Sequence, residues 1–151
     1  MRAPYQVLIF PYIIEKDSIK YAIFKRDDMK VWQAVSGGGE DGETPLESAK
    51  RELSEEIGLE NPSKLFQLSS ISSIPVEALR GFIWGKDVFV VPEYTFGLEL
   101  TSKDLVLSHE HESFEWLSYE EANQRLQFDS NKTALWELNA RLTAPKDDSS
   151  R

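Results

Sequence analysis

The stretch GGGEDGETPLESAKRELSEEIGL, residues 37–59, decides how the rest of the chain is read. Three consecutive glycines lead into a strongly signalled helix. Thr44 is an N-cap, Pro45 falls at the first helical position, and Glu47 completes a Ser/Thr-x-x-Glu capping box. Gly58 stands where a left-handed residue ends a helix. At about 100° per residue Leu46, Ala49, Leu53 and Ile57 share one stripe, which predicts the core contact. Glu52, Glu55 and Glu56 fall outside that stripe. Their i, i+3, i+4 spacing brings three carboxylates out on one helical face, where they repel one another.

Taken alone, an acidic helix is ordinarily a solvated face, and a glycine-rich turn is ordinarily a turn. Together they make half of a site. Gly37, Gly38, Gly39 and Gly42 are expected to form a loop whose tight or left-handed backbone sets amides and carbonyls against a ligand. Magnesium takes oxygen ligands and bridges carboxylates to substrate phosphates, so it supplies the cation such a cluster lacks.

The need for a cation extends to the whole chain. Its formal charge of -9 argues against a nucleic-acid or anionic-membrane surface, because those partners are drawn by positive fields. An anionic ligand therefore requires positive charge supplied locally. The absence of cysteine excludes a disulfide framework and thiolate metal sites. With no run approaching a membrane span and no leader pattern at the start, a cytoplasmic location is expected. At 151 residues, 40% of them hydrophobic, one core is expected, in a single domain over residues 1–143 with a flexible tail over 144–151.

Residues 5–14 and 19–24 are rich in β-branched and aromatic side chains and read as a hairpin. A charged turn, KRDDMK, follows, and the run from Trp32 to the glycines delivers the loop to a sheet edge. Strands are expected over 65–74, 82–91, 94–100 and 114–117, with Gly85 to Asp87 a candidate break in the second and Pro92 separating it from the third. Ser118 and Glu121 form another capping box, and Asp129 or Ser130 starts a last helix with Leu135, Leu138 and Leu142 on one side. Lys25 and Arg26, at a strand end, are candidates to meet phosphates. Trp32 and Phe114 are candidates to stack on a base, with core packing as the other reading of such large aromatics. His109 and His111 flank Glu110, but strand alternation would turn both away from it.

The segment resembles the Nudix box, G-x5-E-x7-R-E-U-x-E-E-x-G-U, where U is a bulky aliphatic residue. Gly37, Glu43, Arg51, Glu52, Leu53, Glu55, Glu56, Gly58 and Leu59 occupy every fixed position. Shorter matches at Arg26 to Asp28, Trp32 to Val35, Glu110–His111 and Ser130–Asn131 are similar to the dATP/dihydroneopterin triphosphate pyrophosphohydrolase branch.

The resemblance implies an α/β (α+β) fold, an α/β/α sandwich with a mixed sheet and a loop-helix-loop metal site. It implies metal-dependent hydrolysis of a phosphoanhydride in a nucleoside triphosphate or another nucleoside diphosphate linked to X. Dinucleoside polyphosphates, nucleotide sugars and oxidised nucleotides are the alternative substrates, and a non-catalytic nucleotide-binding module is the rival reading. The cofactor implied is Mg2+, with Mn2+ as its substitute; a homodimer is an allowed assembly. Glu52, Glu55 and Glu56 are the implied metal ligands, joined by backbone oxygen at Gly37 and Gly38. Glu52, Glu55 and Glu110 are the implied catalytic carboxylates, with Glu99 and Glu112 as rivals to Glu110. Glu43, Arg51 and Gly58 are structural, Arg51 orienting the carboxylates by charge-assisted hydrogen bonds.

Overall fold

A computed structural model describes residues 1–108 and 111–145. Its strands are β1 (Arg2–Ile14), β2 (Ile19–Arg26), β3 (Trp32–Gln33), β4 (Val35–Glu40), β5 (Leu65–Pro75), β6 (Val90–Glu99) and β7 (His111–Leu117). The helices are α1 (Pro45–Ile57), α2 (Tyr119–Arg125) and α3 (Asp129–Thr143).

All seven strands join one mixed sheet in the order β3-β2-β1-β6-β5, with β4 also paired to β1 and β7 to β2. The central strand is β1. Its first part pairs antiparallel with β4, its last residues with β2, and its other edge runs parallel to β6. Alternation along β1 divides the core. Val7 and Ile9 point to α1 and pack with Phe24, Phe96, Ala49, Leu53 and Ile57. Leu8, Phe10 and Tyr12 point the other way, to α2 and α3, and pack with Tyr21, Leu135 and Leu138. The expected α/β/α sandwich is thus present, two helical layers on a mixed sheet. Among the described residues no helix is long and apolar enough to cross a membrane.

The helix that opened the argument forms as its caps dictate. The Thr44 hydroxyl accepts from Glu47 N–H, the Glu47 carboxylate accepts from Thr44 N–H, and Gly58 closes the helix at φ 69°. Of the expected stripe, Ala49, Leu53 and Ile57 are buried but Leu46 is exposed. Glu52 and Glu56 are buried as well, each 7% exposed, so a polar row, Ser48-Glu52-Glu56, enters the interior beside the apolar one.

Three expectations need correction. Gly37, Gly38 and Gly39 are not a loop but lie in β4, where Gly37 is opposite Val7 and Gly38 opposite Gln6. Close packing, not unusual dihedrals, requires them: a Cβ on Gly37 would reach the Glu52 carboxylate, and one on Gly39 the Tyr5 ring. Only Gly42, at φ 86°, takes the left-handed turn. Of the expected strand over 82–91 only Val90 and Val91 are strand, at the start of β6; the rest is a series of turns, folded back at Gly81 (φ 76°) and at the expected break, Gly85 (φ 112°), with Phe82 and Phe89 exposed. Nor does Pro92 separate two strands. It lies within β6, before pairing with β1 begins at Glu93, so only one side of the strand carries a ladder there.

Candidate active site

The link from β4 to α1 is tied by a knot of charge-assisted hydrogen bonds. Glu43 Oε1 accepts from Glu40 N–H at 3.0 Å and from the Ser48 hydroxyl at 2.6 Å. Arg51 Nε donates to Glu43 Oε2 at 2.8 Å, and its Nη2 donates to Glu43 Oε1 at 3.1 Å and to the Gly38 carbonyl at 2.7 Å. The Arg51 guanidinium and then the Ser48 hydroxyl hold the Glu43 carboxyl down at about 2, and Glu43 in turn raises Arg51.

The third arm of Arg51 reaches the acidic face. Nη1 donates to Glu52 Oε1 at 3.0 Å and, more weakly, to Glu55 Oε1 at 3.4 Å. Burial pushes the Glu52 carboxyl up to about 7; Arg51 opposes this, and Glu55 and Glu56 add to it. The Glu56 carboxylate accepts from the Ser108 hydroxyl at 3.0 Å, and its backbone carbonyl accepts from Ser108 N–H. A shared helix face has therefore put the three carboxylates in three environments: Glu52 buried, Glu55 exposed, Glu56 buried against the segment after β6.

All three line a polar cavity of about 380 Å³, together with Gly37 and Gly38. Basic groups line the same cavity: Arg2, Arg26 and Arg80. Burial and the neighbouring Arg80 lower the Arg2 guanidinium, whose Nε is buried without a partner while its Nη2 donates to Gln6. Arg26 is held by Asp28 through Nε at 2.9 Å and Nη2 at 2.7 Å.

The donor chemistry fits a hard divalent cation, since every candidate ligand is an oxygen. Gly37 lets the Glu52 carboxylate lie against the strand, because a Cβ there would stand 2.0 Å from the Glu52 carboxyl carbon. Among the described residues no three carboxylate or imidazole side chains are arranged to hold an ion as they stand. Arg51 draws Glu52 and Glu55, and Ser108 engages Glu56, so an incoming cation would have to turn a side chain. Glu55, with the longest of these bonds, is the least held.

The other expected residues are distributed unevenly. Arg26 reaches the cavity; Lys25, Trp32 and Phe114 do not line it. Trp32 packs toward α2, with the Arg125 guanidinium 5.5 Å from its ring centre. Phe114 lies 6.1 Å from Phe24 on the α1 side of the sheet. Glu99 is distant from the site, accepting from Tyr12 at the far end of β6. Glu110 and His109 lie outside the described residues, as do residues 146–151 of the expected tail. Arg2, Gln6, Ser36 and Arg80 line the cavity without having been singled out; each is brought there by the sheet or the turns, and no local pattern marks it.

The family model for the NUDIX domain matches residues 18–137, well over half of the chain. A solved structure of a protein from Listeria monocytogenes described as a NUDIX hydrolase superposes with a TM-score of 0.84 at 45% identity, covering 93% of this chain and 94% of that one. The dihydroneopterin triphosphate diphosphatase of Haemophilus influenzae is 28% identical over 127 residues, covering 82% of this chain and 80% of its own. The asymmetrical bis(5'-nucleosyl)-tetraphosphatase of Rattus norvegicus is also 28% identical, over 128 residues, covering 82% and 81%. A family match over most of the β1-to-α3 sandwich, with every fixed box position filled, means that the chain belongs to the NUDIX family of hydrolases.

Proposed function

We propose that the chain is a metal-dependent pyrophosphohydrolase acting on a nucleotide-like triphosphate, water cleaving one phosphoanhydride bond. The observation that carries this reading is the two-signed cavity: Glu52, Glu55 and Glu56 on one wall, and Arg2, Arg26 and Arg80 around the rest. A polyphosphate needs both, cations for its oxygens and carboxylates for its metal. The triphosphate named for the Haemophilus influenzae relative supports this substrate class.

Glu55, Glu56 and the Gly37 carbonyl would hold magnesium, or manganese in its place, with Glu52 a further ligand where Glu110 is the base. When bound, such an ion supplies charge neutralisation at the phosphates and a lowered pKa for water. Arg2 and Arg80, with Arg26 beside them, take the phosphate oxygens and fix the anhydride. Arg51 keeps Glu52 and Glu55 in register with β4 through its bond to the Gly38 carbonyl.

Glu52 is our assignment for the base. Its buried carboxylate lines the cavity beside Glu55 and Glu56, where it is placed to accept the proton of the attacking water. As the water oxygen bonds to phosphorus, the bridging P–O bond breaks and its electrons leave with the departing phosphate. Glu110 is the alternative base, two residues beyond the Ser108 hydroxyl that bonds Glu56. We also infer a single catalytic domain over residues 1–143 and a cytoplasmic setting.

The test is product identification from a panel of nucleoside triphosphates, dihydroneopterin triphosphate and dinucleoside tetraphosphates, with magnesium and with chelator. Magnesium-dependent release of pyrophosphate and a monophosphate from a triphosphate is the expected result. Absence of turnover across the panel would overturn the reading and favour a binding module.

A further inference from the structure

A second cavity, of about 250 Å³, adjoins the first and shares Gln6, Arg26, Ser36, Ala78 and Leu79 with it. It extends to the start of α3 and has apolar walls that include Leu8, Ile74 and Phe128. One charged group in its lining is unexplained by folding. Glu93 sits on β6 opposite Gln6 of β1 and is only 5% exposed. The nearby Ser130 hydroxyl eases its charge, yet Oε1 is buried with no hydrogen-bond partner.

Buried polar atoms are almost always paired, so an orphan oxygen on a side chain that lines a cavity marks a place a ligand completes once the carboxylate turns toward it. Burial pushes the Glu93 carboxyl up to about 7, the response of a carboxylate that has lost water without gaining enough donors. Neighbouring Asn131 has the opposite character. Its Oδ1 accepts from Ala34 N–H at 2.9 Å, which turns the amide so that Nδ2, the donor end, is the end left toward Ser130. The polar part of the cavity wall thus offers a carboxylate acceptor beside an amide donor. An adenine edge, with an acceptor next to its amino group, would set a ring nitrogen lone pair against the carboxylate.

We propose that Glu93 is a specificity-determining residue, and that this cavity takes the 2-amino-4-oxopyrimidine ring common to guanine and pterins. The ring N–H and the amino group donate to the two Glu93 oxygens, and the oxo group faces Asn131. The ring would occupy the apolar cavity while its phosphates enter the carboxylate cavity. The inference rests on the hydrolase reading of that neighbouring cavity, of which it names the substrate class.

The test separates ring from phosphates. Guanosine, neopterin and adenosine, none carrying a phosphate, are titrated calorimetrically at pH 8 in chelator against wild type, Glu93→Gln and Glu93→Asp. Wild type should bind guanosine or neopterin at least about tenfold more tightly than adenosine, and the stronger of the two identifies the source of the ring. Glu93→Gln should lose about tenfold for that ligand and bind adenosine no more weakly than wild type, since its amide offers adenine one donor and one acceptor; Glu93→Asp, with two acceptors on a shorter arm, should fall between for the guanine or pterin ligand. On the matching triphosphate, Glu93→Gln should raise KM about tenfold and leave kcat within about threefold, a split that general loosening of the fold would not give. Equal binding of the three ligands by wild type, or unchanged discrimination in Glu93→Gln, overturns the proposal. The wild-type ratio decides even if a variant does not fold. Equal binding with turnover intact sinks this inference alone; ring discrimination without turnover sinks the hydrolase reading and leaves Glu93 as a recognition residue.

Discussion

Gly37 lies flat against Glu52: a Cβ at position 37 would stand 2.0 Å from the Glu52 carboxyl carbon and 2.3 Å from each of its oxygens. The fixed glycine of the box and its first helical carboxylate are thus one packing unit, strand against helix. Gly37→Ala should displace the carboxylate with β4 still paired. Because a misplacement of about 1 Å costs on the order of 10²-fold in rate, kcat/KM should fall by about that factor. The stability loss should stay within the roughly 1–3 kcal/mol typical of overpacking. Steady-state kinetics beside urea melts separate the two; a fully active Gly37→Ala would contradict the packing account.

The Glu43–Arg51 pair gives a pH dependence of defined sign. Glu43 has a folded value of about 2 against an ordinary 4.5, so the folded state binds fewer protons than the unfolded one. Its contribution is fully present above about pH 4.5 and is lost as pH falls toward 2. After allowance for partial solvent exposure it amounts to roughly 1–2 kcal/mol. Urea unfolding of wild type and Arg51→Ala between pH 3 and 7 should show the difference between them shrinking as the solution becomes more acid. A constant difference would mean that Arg51 stabilises by its stem and its bond to the Gly38 carbonyl, not through Glu43.

Glu52 titrates in the other direction. Its carboxyl is raised to about 7 by burial, so between about pH 4.5 and 7 the folded protein holds more protons and loses stability as pH rises. In chelator-treated protein at pH 8, Glu52→Gln should therefore be more stable than wild type, by about 1–3 kcal/mol, and the gain should vanish near pH 4. Turnover with magnesium should fall by at least about 10²-fold, the usual range for a lost general base. A destabilised Glu52→Gln at pH 8 would show that its bond from Arg51 outweighs the burial cost.

What was legible in the sequence was what is local. Thr44, Pro45, Glu47 and Gly58 act within one turn of themselves, and the helix formed between them as read. Spacing likewise put Glu52, Glu55 and Glu56 on one face. Spacing did not reveal that Glu52 and Glu56 are buried, because their burial comes from Gly37 across the sheet and from Ser108 in a distant segment. The triple glycine misled for the same reason: its permissive backbone suggests a loop, while the demand for it comes from Glu52 and Tyr5 packing on a strand. Residues 82–89 are apolar enough to read as a strand, and the positive-φ glycines Gly81, just before them, and Gly85, within them, undo it. Glu93 was hidden by Pro92, which broke one strand into two apparent ones and left the carboxylate between them. Arg2 and Arg80 come from opposite parts of the chain and meet only in the fold.

The most direct measurement is magnesium-dependent pyrophosphate release from the best triphosphate of the panel by wild type, Glu55→Gln and Glu56→Gln, each checked for an intact fold by its thermal melt. The account predicts that Glu56→Gln, whose carboxylate is buried in the cavity wall, loses at least about 10²-fold in kcat/KM. It predicts a smaller loss for the more exposed Glu55→Gln, with activity recovering in part at higher magnesium for both. Undiminished turnover in both variants would contradict the assignment of this helix face as the metal-holding site.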